Sequence, residues 1–333
     1  MEKANPSPQT GRTDEVEDLQ MNRRSFSRLL LGSAALKCVD GTQGVENRYK
    51  RNKQESGHRF RVAVIADTHI VDPYYKGPED TPEDTQSMAF TTERLIAARK
   101  EINHIAPAVE QIFHLGDVVH DSPAMSFDFY SKNRTRLDIA RDLFAGFHAP
   151  LHMTLGNHDY VLSQMTREQT HQLFAEKLKI QPYKAIEYKG WKFILLNCFM
   201  GATWDNHDAR YDEGTGTLGR AQLEWLDAEL AQPGPSIVMT HYPLWRIDDE
   251  EFMDLSLQKL LRKYHSKVQL VLAGHWHKWV DFAHTFGPQH YLVASTRYDP
   301  NAMMILDLEE NSSRWQIANT KCIDWSTHHA RAF

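Results

Sequence analysis

Short apolar runs rich in Val, Ile and Leu recur along the chain, at 60–66, 109–115, 151–155, 236–240 and 268–273. Each is near strand length and lacks strict alternation, the pattern of strands buried on both faces. A paired run over 185–198 breaks at Lys189-Gly190 and predicts a hairpin. Helical spacing fills the intervals, over about 90–104, 134–147, 167–178, 222–230 and 254–264. In the second of these, Leu137, Ala140, Phe144 and Phe147 share one face. Runs at 291–295 and 302–308 read as edge strands. Strand and helix alternate, so the fold class is α/β, a layered sandwich, with antiparallel strands joining parallel ones. A polar, Pro-rich loop is predicted at 72–86. A Gly-rich polar loop at 201–219, long and without secondary structure, is read as lying on the substrate side.

The residues with chemical potential stand just beyond these runs. Asp67-Thr68-His69, Gly116-Asp117, Gly156-Asn157-His158-Asp159, His241 and Gly274-His275-Trp276-His277 each come directly after an apolar run. They therefore occupy loops at the carboxyl ends of strands, the edge where open α/β sheets gather ligand sites. Carboxylate oxygen and imidazole nitrogen are donors suited to divalent metals, and donors arriving from separate loops are what a two-metal hydrolytic site requires. Glycines at 116, 156 and 274 let the chain turn and bring the next side chain inward.

Composition sets limits on this picture. The 333 residues carry a formal net charge of −6, which argues against a broad basic surface for nucleic acid. Cys38, Cys198 and Cys322 form no C-x-x-C pair, so neither a disulfide framework nor a thiolate zinc cage is indicated. No apolar run reaches membrane-spanning length, and a soluble mature protein is expected. Residues 1–57 lack periodicity and read as a disordered segment, leaving 58–333 as the catalytic domain. Within that segment, Asn22 to Arg28 with the apolar stretch 29–36 resembles a twin-arginine export signal. If used by the export machinery it would place the protein in the periplasm or outside the cell, and otherwise the location would be cytoplasmic.

The ordered set D-x-H, G-D, G-N-H-D, H and G-H-x-H resembles the calcineurin-like metallophosphoesterase superfamily over about 59–308. The resemblance implies two mixed β-sheets packed together and flanked by helices, with a binuclear centre at their ends. It assigns Asp67, His69, Asp117 and His277 to one metal, and Asp117, Asn157, His241 and His275 to the other, Asp117 bridging. Fe, Mn and Zn are the leading identities for the two ions. The implied activity is hydrolysis of a small phosphorylated substrate, a phosphodiester or phosphomonoester, by a hydroxide shared between the metals. A non-catalytic metal- or phosphate-binding protein on the same fold is the alternative.

His158 corresponds to a family histidine that is not a ligand but an acid toward the phosphate or leaving oxygen, and Asp159 is expected to orient it. His120 and His207 are weaker substrate-binding candidates, and Arg297 and Tyr298 weaker still. His120 reads equally as a solvated loop residue. His114, inside an apolar run, reads as structural, and Trp276 as a packing residue.

Overall fold

The computed structural model describes residues 57–120, 125–160 and 163–325. The twin-arginine-like segment and Cys38 lie outside the described residues. The chain opens with β1 (Arg59–Ile65), whose last four residues are all buried. Two helices come next, α1 (Pro82–Met88), capped by the Thr81 side chain accepting from the Asp84 amide, and α2 (Thr91–His104). Beyond them lie β2 (Val109–His114), α3 (Phe127–Lys132), α4 (Arg136–Phe144) and β3 (Leu151–Met153). Helix α5 (Arg167–Leu178) begins with a Thr166–Gln169 capping box, which satisfies backbone donors at both positions.

After α5 the chain forms a hairpin of β4 (Lys184–Tyr188) and β5 (Trp191–Leu195). Its two turn residues, Lys189 at φ 49° and Gly190 at φ 81°, supply the paired positive φ that matches strand twist in a two-residue hairpin. Then come α6 (Arg220–Ala231), β6 (Ser236–Met239), α7 (Leu257–Lys263) and β7 (Val268–Ala273). The described chain closes with β8 (Val280–Asp281), β9 (Gln289–Leu292), β10 (Met304–Glu309) and β11 (Trp315–Ile317).

These strands form two mixed sheets, ordered β11-β10-β1-β2-β3 and β4-β5-β6-β7-β9-β8. In the first, β1, β2 and β3 run parallel, with β10 antiparallel to β1. In the second, β5, β6, β7 and β9 run parallel, with β4 and β8 antiparallel at the edges. The sheets face one another: Val62 and Val64 of β1 share a core with Phe193 and Leu195 of β5 and with Leu270 and Leu272 of β7. Phe113 and Phe193, one from each sheet, stack with centroids 4.6 Å apart. Alternate residues point outward to helices, where Ala63, Ile65 and Ile112 join a cluster with Leu95, Ala98 and Leu137. Val238 and Val271 belong to the same cluster as Leu223, Leu226 and Leu260. Burial on both faces is why the strands read as continuous apolar runs, each buried large side chain contributing about 1.5–3 kcal/mol.

Several sequence expectations change. The 291–295 and 302–308 runs are not edges: β9 lies between β7 and β8, and β10 between β1 and β11. The true edge partners, β8 and β11, have two and three residues, too few to show a period. The 72–86 loop contains the start of α1, and the 201–219 loop is structured. Thr203 Oγ1 donates to the Thr215 carbonyl at 2.6 Å, and the Glu251 carboxylate accepts from the amides of Ala202 (3.1 Å) and Gly219 (2.9 Å). No described helix is long and apolar enough to cross a membrane.

Candidate metal centre

All five sequence clusters meet at one end of the two sheets. The turn after β1 is laced to the turn after β2, with the amides of Asp67 and His69 each donating at 3.0 Å to the carbonyls of Gly116 and Asp117. From the second sheet, the His275 amide donates to Asp67 Oδ1 at 3.0 Å, and the His241 carbonyl accepts from the Gly274 amide at 3.1 Å. The His158 amide donates to Asp117 Oδ1 at 2.9 Å. These bonds fix the loops to each other before any side chain reaches the centre.

The backbone is strained where the clusters lie. Asp67, His69, Asp117, His275 and His277 all have φ between 44° and 70°, five of the nine described non-glycine residues with positive φ. Each costs about 1–3 kcal/mol, and such strain concentrates at functional sites. The glycines serve two purposes. Gly116 itself has φ +96°, whereas a Cβ on Gly156 would lie 2.2 Å from Asp117 Oδ1, and one on Gly274 2.7 Å from Asp67 Oδ2. Those two positions admit a carboxylate against bare backbone.

The side chains converge on Asp117. Its Oδ2 lies 3.3 Å from His241 Nε2 and 3.5 Å from His69 Nε2, with both carboxylate and imidazoles fully buried. His69 Nε2 is 3.2 Å from His277 Nε2, which is 3.6 Å from Asp67 Oδ1. Donor atoms of Asp67, His69, Asp117 and His277 all lie within 4.8 Å of one another, as do those of Asp117, His241 and His275. Asn157 Oδ1 joins the second group, 3.0 Å from His241 Nε2.

Whether these atoms fit metal ions can be judged from their lone pairs. His241 Nδ1 faces the Leu115 carbonyl at 2.9 Å, so that nitrogen carries the proton of the neutral ring. In the neutral ring Nε2 then turns a lone pair toward two oxygens, Asp117 Oδ2 and Asn157 Oδ1, and without a metal a proton on Nε2 would supply the positive charge there. Asp117 Oδ2 is buried without a hydrogen bond. Acceptors facing acceptors in a dry site are costly unless a cation lies among them. The donor set of nitrogen and oxygen without thiolate fits Fe, Mn or Zn equally.

Burial sets the protonation tendencies. It pushes His69, His275 and His277 well below the usual histidine range, favouring the neutral rings that bind metal. It pushes the Asp67 carboxyl up to about 8. Burial also pushes Asp117 up and His241 down, but their mutual charge outweighs it, holding Asp117 low and raising His241.

The remaining candidates fall differently. The half-buried His158 ring lies 5.0 Å from that of His69, at the margin of the cluster. Asp159 does not orient it: its carboxylate accepts from the amides of Val118 (3.3 Å), Val119 (3.0 Å) and Gly156 (2.8 Å). It clamps the turn after β2 to the turn after β3, because a buried carboxylate takes the nearest unpaired amides. His120 is 3% exposed, not a solvated loop residue, and its two ring nitrogens face His69 and Glu79. His207 is exposed and lines a cleft of about 160 Å³ with Thr166, Arg167 and Trp204, apart from the groups around Asp117. The buried Arg297 donates to Ser87 Oγ at 2.6 Å and braces α1, while the Tyr298 ring sits 5.4 Å from His277.

His114 is a buried structural residue, its Nε2 3.0 Å from Thr68 Oγ1 and its Nδ1 accepting from the Gly116 amide at 3.2 Å. Trp276 packs on Trp245, centroids 5.4 Å apart. The 201–219 loop reaches the margin of the site through Tyr242, whose ring lies 4.4 Å from His275 and whose hydroxyl donates to the Glu213 carbonyl at 2.6 Å. Glu79, in contact with His120, had no signal in the sequence, since it stands among unpatterned polar residues.

Residues 60–279 match the family model described as calcineurin-like phosphoesterase. A 3',5'-cyclic-nucleotide phosphodiesterase from Nostoc sp. is 24% identical over 242 residues, covering 69% of this chain and 76% of the relative. In fold, the chain is similar to a dimetal phosphatase from Danio rerio, with a TM-score of 0.54 and 17% identity over 75% of this chain and 93% of the other. The chain belongs to the calcineurin-like phosphoesterase family and is a binuclear metal-dependent hydrolase of phosphoric esters.

Proposed function

We propose that this chain hydrolyses small phosphodiesters, cyclic nucleotides foremost, with one metal held by Asp67, His69, Asp117 and His277 and the other by Asp117, Asn157, His241 and His275. The observation that carries the reading is the orphaned Asp117 Oδ2, 3.3 Å from His241 Nε2 of one group and 3.5 Å from His69 Nε2 of the other. Two cations there would supply charge stabilisation for phosphoryl oxygens and an activated water, worth several kcal/mol of barrier. The protein's own part is to orient and to move a proton. His158, half-buried beside the cluster, is the acid in this reading, protonating a leaving oxygen. The 24% identical cyclic-nucleotide phosphodiesterase supports a cyclic diester substrate. Small phosphomonoesters are the second class the open donor set accepts. Iron, manganese and zinc all suit the donors.

Export through the amino-terminal twin-arginine-like segment is proposed as well, with 58–333 acting as the catalytic domain. The substrate reading is tested by assaying protein reconstituted with Mn, Fe or Zn against 3',5'-cyclic nucleotides and nitrophenyl mono- and diesters. Turnover of diesters over monoesters supports it. Preference for monoesters would overturn the diester assignment, and a metal-loaded protein inert on the whole panel would favour a binding role on this fold.

A further inference from the structure

Behind His69 runs a line of polar side chains that the hydrolytic step itself does not use. His69 Nδ1 lies 3.1 Å from His120 Nδ1. His120 Nε2 lies 3.3 Å from Glu79 Oε1, and the Tyr75 hydroxyl donates to that same oxygen at 2.6 Å. Arg297 Nη2 stands 3.7 Å from the other carboxylate oxygen. The His120 ring also stacks on His158, centroids 4.9 Å apart and planes 20° from parallel. One buried imidazole thus touches a metal-facing histidine on one side and the candidate acid on another.

With His69 ligating through Nε2, the protons along this line can be placed from the geometry. His69 turns Nε2 toward Asp117 and His277, so as a ligand it would present the lone pair there and carry its proton on Nδ1. Nδ1–H of His69 then donates to His120 Nδ1. His120 then carries its own proton on Nε2, the nitrogen that faces Glu79 Oε1 at 3.3 Å. A carboxylate accepting from the far nitrogen of a metal-binding imidazole is a common way to fix its tautomer and ring plane. Here a second imidazole is interposed between the two.

We propose that His120 and Glu79 are positioning residues: through the Glu79–His120–His69 line they fix His69 for one of the two metal positions, and through the ring stack they hold His158 beside it. This rests on the ligand assignment proposed above. Both act through a neighbour, Glu79 through His120 and His120 through His69. Because the line ends on His69 alone, its effect falls on the position shared by Asp67, His69, Asp117 and His277. The Asn157, His241 and His275 side is not reached.

The test is a stepwise titration with zinc or manganese in chelator buffers, with melting temperature tracked in parallel. Glu79→Leu keeps the bulk and removes the acceptor, and it should weaken one of two metal equivalents about 10–100-fold while leaving the other within about threefold. Glu79→Gln, which retains an oxygen toward His120, should restore most of the loss. In the zinc-loaded wild type, long-range ¹H–¹⁵N spectra should show His69 protonated on Nδ1 and His120 on Nε2, a readout that needs no variant to fold. Wild-type affinity at both positions in Glu79→Leu, equal weakening of both in step with the melting temperature, or His120 protonated on Nδ1 would each overturn the inference. Fewer than two equivalents in the wild type overturns the two-metal assignment and this inference with it. Two equivalents in the wild type with an unaffected Glu79→Leu overturns this inference alone.

Discussion

Gly156→Ala adds one methyl group and tests whether the centre depends on close approach of Asp117 to bare backbone. The substitution carries no backbone penalty, since Gly156 has φ −112° and ψ 176°, a conformation any residue adopts. Its cost is contact. The new Cβ would lie 2.2 Å from Asp117 Oδ1 and 2.3 Å from the Asp117 amide nitrogen, where 3.0 Å is the practical minimum. Rotating the carboxylate relieves the first clash and not the second, so either the Asp117 backbone or the turn after β3 must retreat by at least about 0.7 Å. That turn carries Asn157 and His158, and Asp117 Oδ1 accepts from the His158 amide. A displacement near 1 Å in a reacting geometry costs on the order of 10²-fold in rate, and overpacking costs about 1–3 kcal/mol of stability. The assay is kcat/KM on bis(p-nitrophenyl) phosphate with excess manganese, alongside elemental analysis and urea denaturation. The expected result is a folded protein with a loss near 10²-fold and weakened metal retention. A Gly156→Ala protein with wild-type rate and two metal equivalents would refute the argument.

Arg136 and Asp72 are both about 1% exposed and paired at 3.0 Å through Nε, so Arg136→Ala leaves a buried carboxylate without its cation. A loss of about 3–5 kcal/mol is expected by urea denaturation, and a loss below about 1 kcal/mol would contradict it. His290 is buried, and burial holds its pKa down at about 4, against a partial offset from the Val271 carbonyl. The unfolded chain takes up that proton near pH 6.5 and the folded chain only near 4, so stability is full above 6.5 and falls as pH drops toward 4. From pH 7 to 5 this residue accounts for about 2 kcal/mol of lost stability. His290→Phe, set among Phe282, Phe286 and Trp245, should remove that part of the pH slope, and equal slopes in both proteins would count against it.

Much of this architecture was legible because burial on both faces writes itself into composition. Val62 and Val64 face the opposite sheet while Ala63 and Ile65 face helices, so β1 reads as one unbroken apolar run with Asp67 marking its end. The same logic located the turns bearing Asp117, Asn157, His241 and His275. Three things were not legible. Strands β8 and β11 are too short to show a period, so in sequence β9 and β10 look like the last strands of their sheets. Helices α1 and α3 have seven and six residues, too few for a repeating face, and rest on caps from Thr81 and Ser126. The identity of partners was hidden most of all. Asp159 adjoins His158 in sequence yet bonds the amides of Val118 and Val119, some forty residues earlier. Glu79 reaches His120 only because the 72–86 segment folds back against the turn after β2. Positive φ at Asp67, His69, Asp117, His275 and His277 is likewise a property of assembled loops.

The central claim is that Asp117 Oδ2, buried and without a hydrogen bond, stands between two cations. Anomalous diffraction from the wild-type protein loaded with zinc or manganese tests this most directly, with elemental analysis of the same sample. Two peaks about 3.5–4 Å apart are predicted, one on either side of the Asp117 carboxylate, with about two metal equivalents per chain. A single peak, a stoichiometry near one, or peaks that bypass Asp117 would contradict the account.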